Sequence, residues 1–121
     1  MNLRPYYFLI GMIGSSLSYT TLAENVADFP SRPIKIIVPV AAGGNVDIVA
    51  RTVGNELTKI LGQNVVIENR PSSASIVGTQ LVAKASPDGY TLLAHSSTFF
   101  AAPLISNNAG YDPVKDFSPI S

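Results

Sequence analysis

The sequence contains no cysteine, no excess of charge of either sign and no long hydrophobic run. Without cysteine the chain forms no disulfide, so its fold must depend on a packed core. The absence of cysteine is compatible with export but does not demonstrate it. Lys plus Arg and Asp plus Glu number eight each, which gives a formal net charge of zero. No basic patch is present to neutralise phosphates, so we expect no nucleic acid partner.

The common motifs of nucleotide and hydrolytic sites are also missing. The glycines are not followed by the G-K-[ST] of a P-loop, and there is no G-x-G-x-x-G for a dinucleotide. Neither Ser96 nor Ser97 lies in G-x-S-x-G. His95 is the only histidine and has no second ligand at metal-binding spacing, so we predict no metal site and no cofactor. A small hydrolase with a Ser97–His95 pair stays a minor alternative, because the spacing offers no third orienting group.

Residues 1–23 have the pattern of a secretory signal peptide. Arg4 supplies the positive charge, an apolar run covers residues 6–13, and Ser/Thr-rich residues lead to Ala23. The run is short and interrupted by glycine and serine, so export with cleavage is favoured over a retained membrane anchor. Cleavage after Ala23 is preferred and cleavage after Ala27 is the alternative. Loss of Arg4 leaves seven basic and eight acidic residues, a net charge of −1.

The remaining chain alternates strand and helix patterns, which predicts an α/β fold with a parallel sheet in the order β-α-β-α-β. Nearly continuous hydrophobicity in the first strand is typical of a strand covered on both faces. Helical periodicity places apolar residues on one face of the first helix. The predicted strands are residues 34–38, 65–68 and 90–94. The predicted helices are residues 45–61, 76–85 and a brief 99–105 interrupted at Pro103, and residues 106–121 are predicted to be loop.

Several positions in the predicted helices have specific expected roles. The apolar face of the first helix comprises Val46, Val49, Ala50, Val53, Leu57, Ile60 and Leu61. Gly54 is expected to allow close packing on the sheet, and Gly62 to end the helix in a left-handed conformation. Ser75 is the expected N-cap of the second helix.

The stretch I-K-I-I-V-P-V-A-A-G-G-N-V-D, residues 34–47, combines a strand, a loop of small residues and the start of a helix. Because side chains are almost absent from the loop, a ligand can approach its backbone closely. The free N–H groups and the dipole at the helix N-terminus favour an anion. We therefore predict an anion-binding site at this junction, formed by bare main-chain amides at Gly43 and Gly44.

Two further loops are expected at the same edge of the sheet. In open α/β sheets the ligand crevice lies beyond the carboxyl ends of the strands. Residues 40–44, 70–75 and 95–98 follow the three predicted strands, consist mainly of small or hydroxylic residues, and lead towards helix starts. We expect these three loops to converge on one ligand.

Four segments, in this order and spacing, carry a family resemblance over essentially all of residues 29–121. They are P-S-R-P-I-K-I-I-V-P-V-A-A-G-G-N-V-D-I-V-A-R (30–51), G-Q-N-V-V-I-E-N-R-P (62–71), A-S-P-D-G-Y-T-L-L (85–93) and Y-D-P-V-K-D-F-S-P-I-S (111–121). Together they resemble the extracytoplasmic solute-binding proteins of tripartite tricarboxylate transporters, the Bug family.

The resemblance implies a periplasmic receptor, not an enzyme, with a two-domain Venus-flytrap architecture of the type II binding-protein class. Residues 24–121 would be the first part of one lobe. The ligand would be a small carboxylate, delivered to two membrane subunits and held largely by backbone N–H groups and ordered water. The implied ligand-binding residues are Val40, Ala41, Ala42, Gly43, Gly44, Asp47, Ser72, Ser73, Ala74, Ser96, Ser97 and Thr98.

The chain departs from the family pattern in two ways. The second loop is usually glycine-rich, but here it is Ser72-Ser73-Ala74-Ser75. Either the added Cβ atoms block the positive-φ conformations that glycine permits, or the hydroxyls substitute as donors. Family members are also much longer, and the chain stops at Ser121 without the second domain. Because cleft closure needs two lobes, we expect weak carboxylate binding or none. A non-binding fragment of a disrupted gene is the alternative.

Charged and aromatic side chains near the loops are assigned mainly structural roles. An acid at Asp47 suits the first turn of a helix but repels an anion unless it orders water or orients the loop. His95 is expected at a structural position or the cleft rim. Arg51 and Arg70 are expected to be solvated or salt-bridged, and Phe99 and Phe100 to belong to the core.

Overall fold

A parallel three-stranded sheet lies at the centre of the computed structural model, which describes residues 28–106 and 108–121. The strands β1 (Ile34–Val38), β2 (Val65–Asn69) and β3 (Thr91–Leu93) lie in the order β2-β1-β3, and both outer strands run parallel to β1. The central strand β1 is well covered, since only Lys35 of its five residues is exposed. The predicted α/β class and parallel sheet are confirmed. The predicted signal peptide lies outside the described residues.

Three helices and one short turn of 3-10 helix connect and flank the strands. The helices are α1 (Asn45–Leu61), α2 (Ile76–Ala83) and α3 (Thr98–Ile105), and the 3-10 turn is Ser73–Ser75. α1 ends as predicted, because Gly62 has a φ of 67° and its amide donates to the Thr58 carbonyl at 3.1 Å.

Two predicted elements are shorter in the structure. α2 ends at Ala83 rather than at Ala85, because the Ala85 amide bonds the carbonyl of Val82, a tighter i−3 bond that ends the α-helical pattern. β3 covers Thr91–Leu93 rather than residues 90–94. The ladder nevertheless continues on both sides, since the Tyr90 carbonyl accepts from Lys35 and the Ala94 amide donates to Ile37.

Pro103 lies inside α3 without interrupting it, so the predicted break was wrong. A proline removes the amide that would bond the carbonyl four residues earlier, which here belongs to Phe99. The Tyr111 hydroxyl donates to that carbonyl at 2.9 Å. A side chain from beyond the helix therefore satisfies the acceptor that Pro103 leaves free.

The buried strip of α1 is narrower than its apolar pattern predicted. Asp47, Ala50 and Gly54 are buried, and an added Cβ on Gly54 would lie 3.1 Å from Ile67 of β2, so the expected close packing is confirmed. By contrast, Val49, Val53 and Ile60 are exposed by 48–76%, contrary to expectation. Small residues let the helix backbone approach the sheet, and the flanking larger residues have no cover in the described part of the chain.

An aromatic cluster packs α3 against the segment that follows it. Phe99 stacks on Tyr111 with ring centroids 5.6 Å apart and meets Phe117 edge-on at 5.0 Å. Phe99 packs in this aromatic cluster but is half-buried, so the predicted core role of Phe99 is met only in part. The prediction of Phe100 as a core residue was wrong, because its ring meets the edge of Phe99 at 4.9 Å but the residue remains 59% exposed.

Candidate functional site

The loop between β1 and α1, residues 40–44, forms a tight turn. The Gly44 amide bonds the Ala41 carbonyl weakly at 3.4 Å, and Gly43 has a φ of 85°. A left-handed residue at the third position is the signature of a type II turn. A side chain at Gly43 would meet nothing within 4 Å, so conformation rather than space requires glycine there.

The first turn of α1 buries a carboxylate beneath this loop. Asp47 is 2% exposed, and its Oδ2 accepts hydrogen bonds from the Gly43 amide at 2.8 Å and from Arg51 Nε at 3.0 Å. Its Oδ1 accepts from Asn69 Nδ2 at 2.9 Å. The Arg51 guanidinium above all, with the Gly43 amide and Asn69, lowers the pKa of Asp47 from 3.8 to about 2. Asp47 is therefore ionised at neutral pH and orients the loop.

This arrangement corrects the prediction that the loop presents bare amides at Gly43 and Gly44. The Gly43 amide is bonded by Asp47, and the Gly44 amide points back to Ala41. Instead, the amides of Ala41, Ala42 and Asn45 have no hydrogen-bond partner among the residues that the structure describes. Gly44, at the N-cap position of α1, has no side chain to cap the helix. Asn45 Oδ1 accepts from the Val46 amide at 2.8 Å, so the Asn45 amide, rather than that of Val46, remains available for an anion.

Asn69, the last residue of β2, is a member of this network that the sequence analysis missed. Its Nδ2 donates to the Val40 carbonyl at 3.2 Å as well as to Asp47, and its Oδ1 accepts from Arg51 Nη2 at 2.9 Å. Arg51 is thus salt-bridged, as expected. The only available signal was the position of Asn69 at the end of a strand beside the candidate edge.

The second loop, residues 70–75, adopts left-handed backbone without glycine. Ala74 and Ser75 have φ values of 50° and 59°. Ser75 occupies the N-cap position of α2, but its side chain makes no capping bond, contrary to prediction. The Ser72 hydroxyl accepts from the Val77 amide at 3.0 Å instead. Because the backbone of Ser75 is left-handed, Ser72, three positions earlier, caps α2 instead.

The third loop, residues 95–98, leads directly into α3. Ser96 Oγ and Thr98 Oγ1 lie 3.0 Å apart and are exposed, and the Ser96 amide donates to His95 Nδ1 at 2.8 Å. Burial lowers the pKa of His95 below its ordinary value. The hydroxyl that approaches the ring belongs to Thr98, at 3.5 Å, rather than to Ser97. The geometry therefore does not form the Ser97–His95 pair.

The three loops start from one edge of the sheet. Strand register places Asn69 beside Val38 and Leu93 beside Ile37, and α3 contacts the 3-10 turn of the second loop. Most of the predicted ligand-binding residues are accessible there. Ala41, Ala42, Gly43, Ser73, Ala74, Ser96, Ser97 and Thr98 are exposed, Val40, Gly44 and Ser72 are half-buried, and Asp47 is buried.

No free cation serves this edge within residues 28–106 and 108–121. Arg51 is paired with Asp47, and Arg70 is paired with Glu68 as expected. Lys35, followed by Arg70, lowers the pKa of Glu68, so that acid is ionised as well. Recognition of an anion at these loops would therefore depend on main-chain amides and hydroxyl groups.

Residues 28–106 and 108–121 contain one histidine, several acidic side chains and three helices. No cluster of three or more His, Cys, Asp or Glu side chains there has the arrangement to hold a metal ion. None of the helices found there is long and apolar enough to cross a membrane.

Comparison with known proteins places the chain in a family. The model of the tripartite tricarboxylate transporter family receptor matches residues 49–121. The chain belongs to this receptor family. A curated relative of this receptor family, a UPF0065 protein of Bordetella bronchiseptica, is 42% identical over 87% of the chain and 32% of its own length. BugT of Bordetella pertussis is 37% identical over 93% of the chain and 36% of its own length.

Solved structures agree with this membership. The periplasmic binding protein BugD superposes with a TM-score of 0.73 at 42% identity, over 76% of this chain and 31% of BugD. MatC from Rhodopseudomonas palustris, solved with bound malate, gives a TM-score of 0.71 at 41% identity, over 76% of this chain and 32% of MatC. The chain thus has the fold of part of a periplasmic binding-protein lobe. It spans about a third of the length of these relatives.

Proposed function

We propose that the chain carries one wall of a carboxylate site in an exported solute-binding receptor. In this proposal the periplasm is its location, residues 1–23 are its signal peptide, and two membrane subunits of a tripartite tricarboxylate transporter receive the ligand. Relatives solved with malate and with adipate, the latter being Rpa4515 of R. palustris, support a small carboxylate as the ligand.

The observation that carries the proposal is the group of free amides at the turn before α1. The amides of Ala41, Ala42 and Asn45 lack partners among the described residues, and the helix dipole adds partial positive charge at the same place. Asp47 supports this arrangement rather than opposing it, because Arg51 neutralises its charge and its oxygens fix the loop. The hydroxyls of Ser96 and Thr98 are further proposed donors.

Binding by the 121-residue chain itself is expected to be weak. Ala41 and Ala42 are exposed, so a carboxylate held there keeps one side in water. Three hydrogen bonds to a charged group, at about 1.5 kcal/mol each, give about 4.5 kcal/mol, which corresponds to a dissociation constant of about 0.5 mM. Micromolar affinity of this chain for malate or adipate would contradict the expectation.

The test removes one main-chain N–H without changing the turn. Ala42 is the second residue of the type II turn, a position that proline suits, so Ala42→Pro deletes the amide donor and should leave stability unchanged or raised. We expect Ala42→Pro to weaken malate binding about tenfold or more, measured by titration followed by NMR. Ala42→Ser, which keeps the N–H, is the matched control. Equal affinities of the two variants would refute the role of this amide.

A further inference from the structure

We infer that Asn69 and Arg51 are positioning residues, which act through Asp47 to hold the loop of residues 40–44 in its ligand-ready conformation. This inference rests on the proposed function, because it names what keeps that site in shape. Neither residue needs to contact the ligand. Their role is to fix the backbone that does.

Asn69 links the loop to the rigid part of the sheet. It ends β2 and pairs in register with Val38 of β1. Its side chain donates both to the Val40 carbonyl, at 3.2 Å, and to Asp47 Oδ1, at 2.9 Å. A single amide group therefore joins the first residue of the loop to the buried carboxylate.

Arg51 completes a closed ring of three side chains. Its Nε donates to Asp47 Oδ2 at 3.0 Å, and its Nη2 donates to Asn69 Oδ1 at 2.9 Å. The guanidinium fork makes both bonds at once, which a lysine ammonium on its flexible stem does not reproduce. The ring fixes the rotamers of Asp47 and Asn69 together.

The ring holds the loop at two points. Asn69 holds the Val40 carbonyl, and Asp47 holds the Gly43 amide. Ala41 and Ala42, whose amides are free among the described residues, lie between these two points. Releasing either point lets the intervening backbone adopt other conformations, and apparent affinity falls in proportion to the fraction that stays competent.

Three variants distinguish loss of the hydrogen bonds that position the loop from changes in the charge or the shape of the side chains. Asn69→Asp keeps the shape but replaces both donated hydrogen bonds by oxygen–oxygen contacts. Arg51→Lys keeps the charge but loses the fork. The double variant Asp47→Asn/Asn69→Asp exchanges the two side chains, so it restores the Asn–Asp bond and retains an acceptor for Gly43, but it does not restore the bond to the Val40 carbonyl. Asn55→Asp, at an exposed position of α1, adds the same charge outside the ring and is the matched control.

The full chain is examined by NMR without ligand and in titrations with malate. We expect faster amide exchange at Gly43 and an about tenfold higher dissociation constant in Asn69→Asp and Arg51→Lys, and no change in Asn55→Asp. In the double variant we expect Gly43 exchange to recover, and the affinity to recover only in part because the bond to the Val40 carbonyl stays lost. Unchanged Gly43 exchange in both single variants, or a double variant worse than Asn69→Asp alone, would overturn the inference. If the unaltered chain shows no malate binding, the proposed function fails, while the ligand-free exchange comparison still decides the positioning role.

Discussion

A single methyl group at Gly78 should disturb the packing of α2 against the ends of the strands. An added Cβ there would lie 2.8 Å from Pro39 Cβ and 3.1 Å from the Arg70 carbonyl oxygen. Both neighbours are parts of the backbone framework where β1 and β2 end, so they cannot rotate away. Overpacking of this kind costs about 1–3 kcal/mol, and removal of a helix glycine returns about 1 kcal/mol. We expect Gly78→Ala to lower the free energy of unfolding by up to about 2 kcal/mol.

Gly54→Ala provides the matched comparison inside α1. Its Cβ would lie 3.1 Å from Ile67 Cδ1 and 3.3 Å from Val65 Cγ1, which are ends of side chains that can shift. Because the gain in helix propensity offsets the crowding, we expect Gly54→Ala to change the free energy of unfolding by less than about 1 kcal/mol in either direction. Denaturant unfolding followed by circular dichroism measures both variants. If Gly78→Ala is as stable as Gly54→Ala, the reasoning about close packing at Pro39 is wrong.

Three further predictions concern the candidate loops. Ala74→Gly should stabilise the chain by about 0.5–1 kcal/mol through relief of left-handed strain, whereas Ala41→Gly should not. Ser72→Ala should cost about 0.5–2 kcal/mol by removing the cap of α2, and Ser73→Ala should cost little. Because the pKa of Asp47 falls from 3.8 to about 2 on folding, its stabilisation is present above pH 3.8 and is lost as the pH falls towards 2.

Each of these has a direct check. Chemical unfolding should show a higher free energy of unfolding for Ala74→Gly and a lower one for Ala41→Gly. Equal changes in the two variants would contradict the argument from left-handed strain. Thermal melts of the two serine variants should differ, and equal midpoints would reject the assigned cap. An acid titration of stability should be flatter in Asp47→Asn than in the unaltered chain below about pH 4, and identical slopes would contradict the assigned hydrogen bonds.

The elements that depend on local sequence were predictable. β1, the glycine turn and α1 follow one another without interruption, and each has its own local signal: a continuous apolar run, a left-handed glycine and a helical period. The helix end at Gly62 is of the same kind. Such features depend on residues within a few positions of one another, so the chain reveals them without knowledge of the packing.

Features that depend on distant partners were missed. Asn69 is 22 positions from Asp47, with which it bonds, and Tyr111 is 12 positions from Phe99, whose carbonyl it satisfies. Periodicity in α1 correctly marks an apolar face, but it does not say which part of that face a neighbour covers. Val53 is therefore exposed although its spacing is that of a core residue.

The second loop shows a limit of composition-based reasoning. One of the two alternatives for this loop was that the Cβ atoms of Ala74 and Ser75 block positive φ, yet both residues adopt it. The Thr79 hydroxyl donates to the Ser75 carbonyl at 2.7 Å, and Ser72 caps the following helix. Local side-chain hydrogen bonds to the backbone of the loop and of α2 therefore accompany a left-handed conformation that costs about 1–2 kcal/mol for each non-glycine residue.

The location of the ligand on the protein is the most direct test of the account. A two-dimensional NMR spectrum of the isotope-labelled chain, recorded with increasing malate, reports which backbone amides sense the anion. We expect the largest chemical-shift changes at the amides of Ala41, Ala42 and Asn45, and smaller changes at Ser96 and Thr98. Saturable shifts confined to any other surface, with these amides unmoved, would contradict the account.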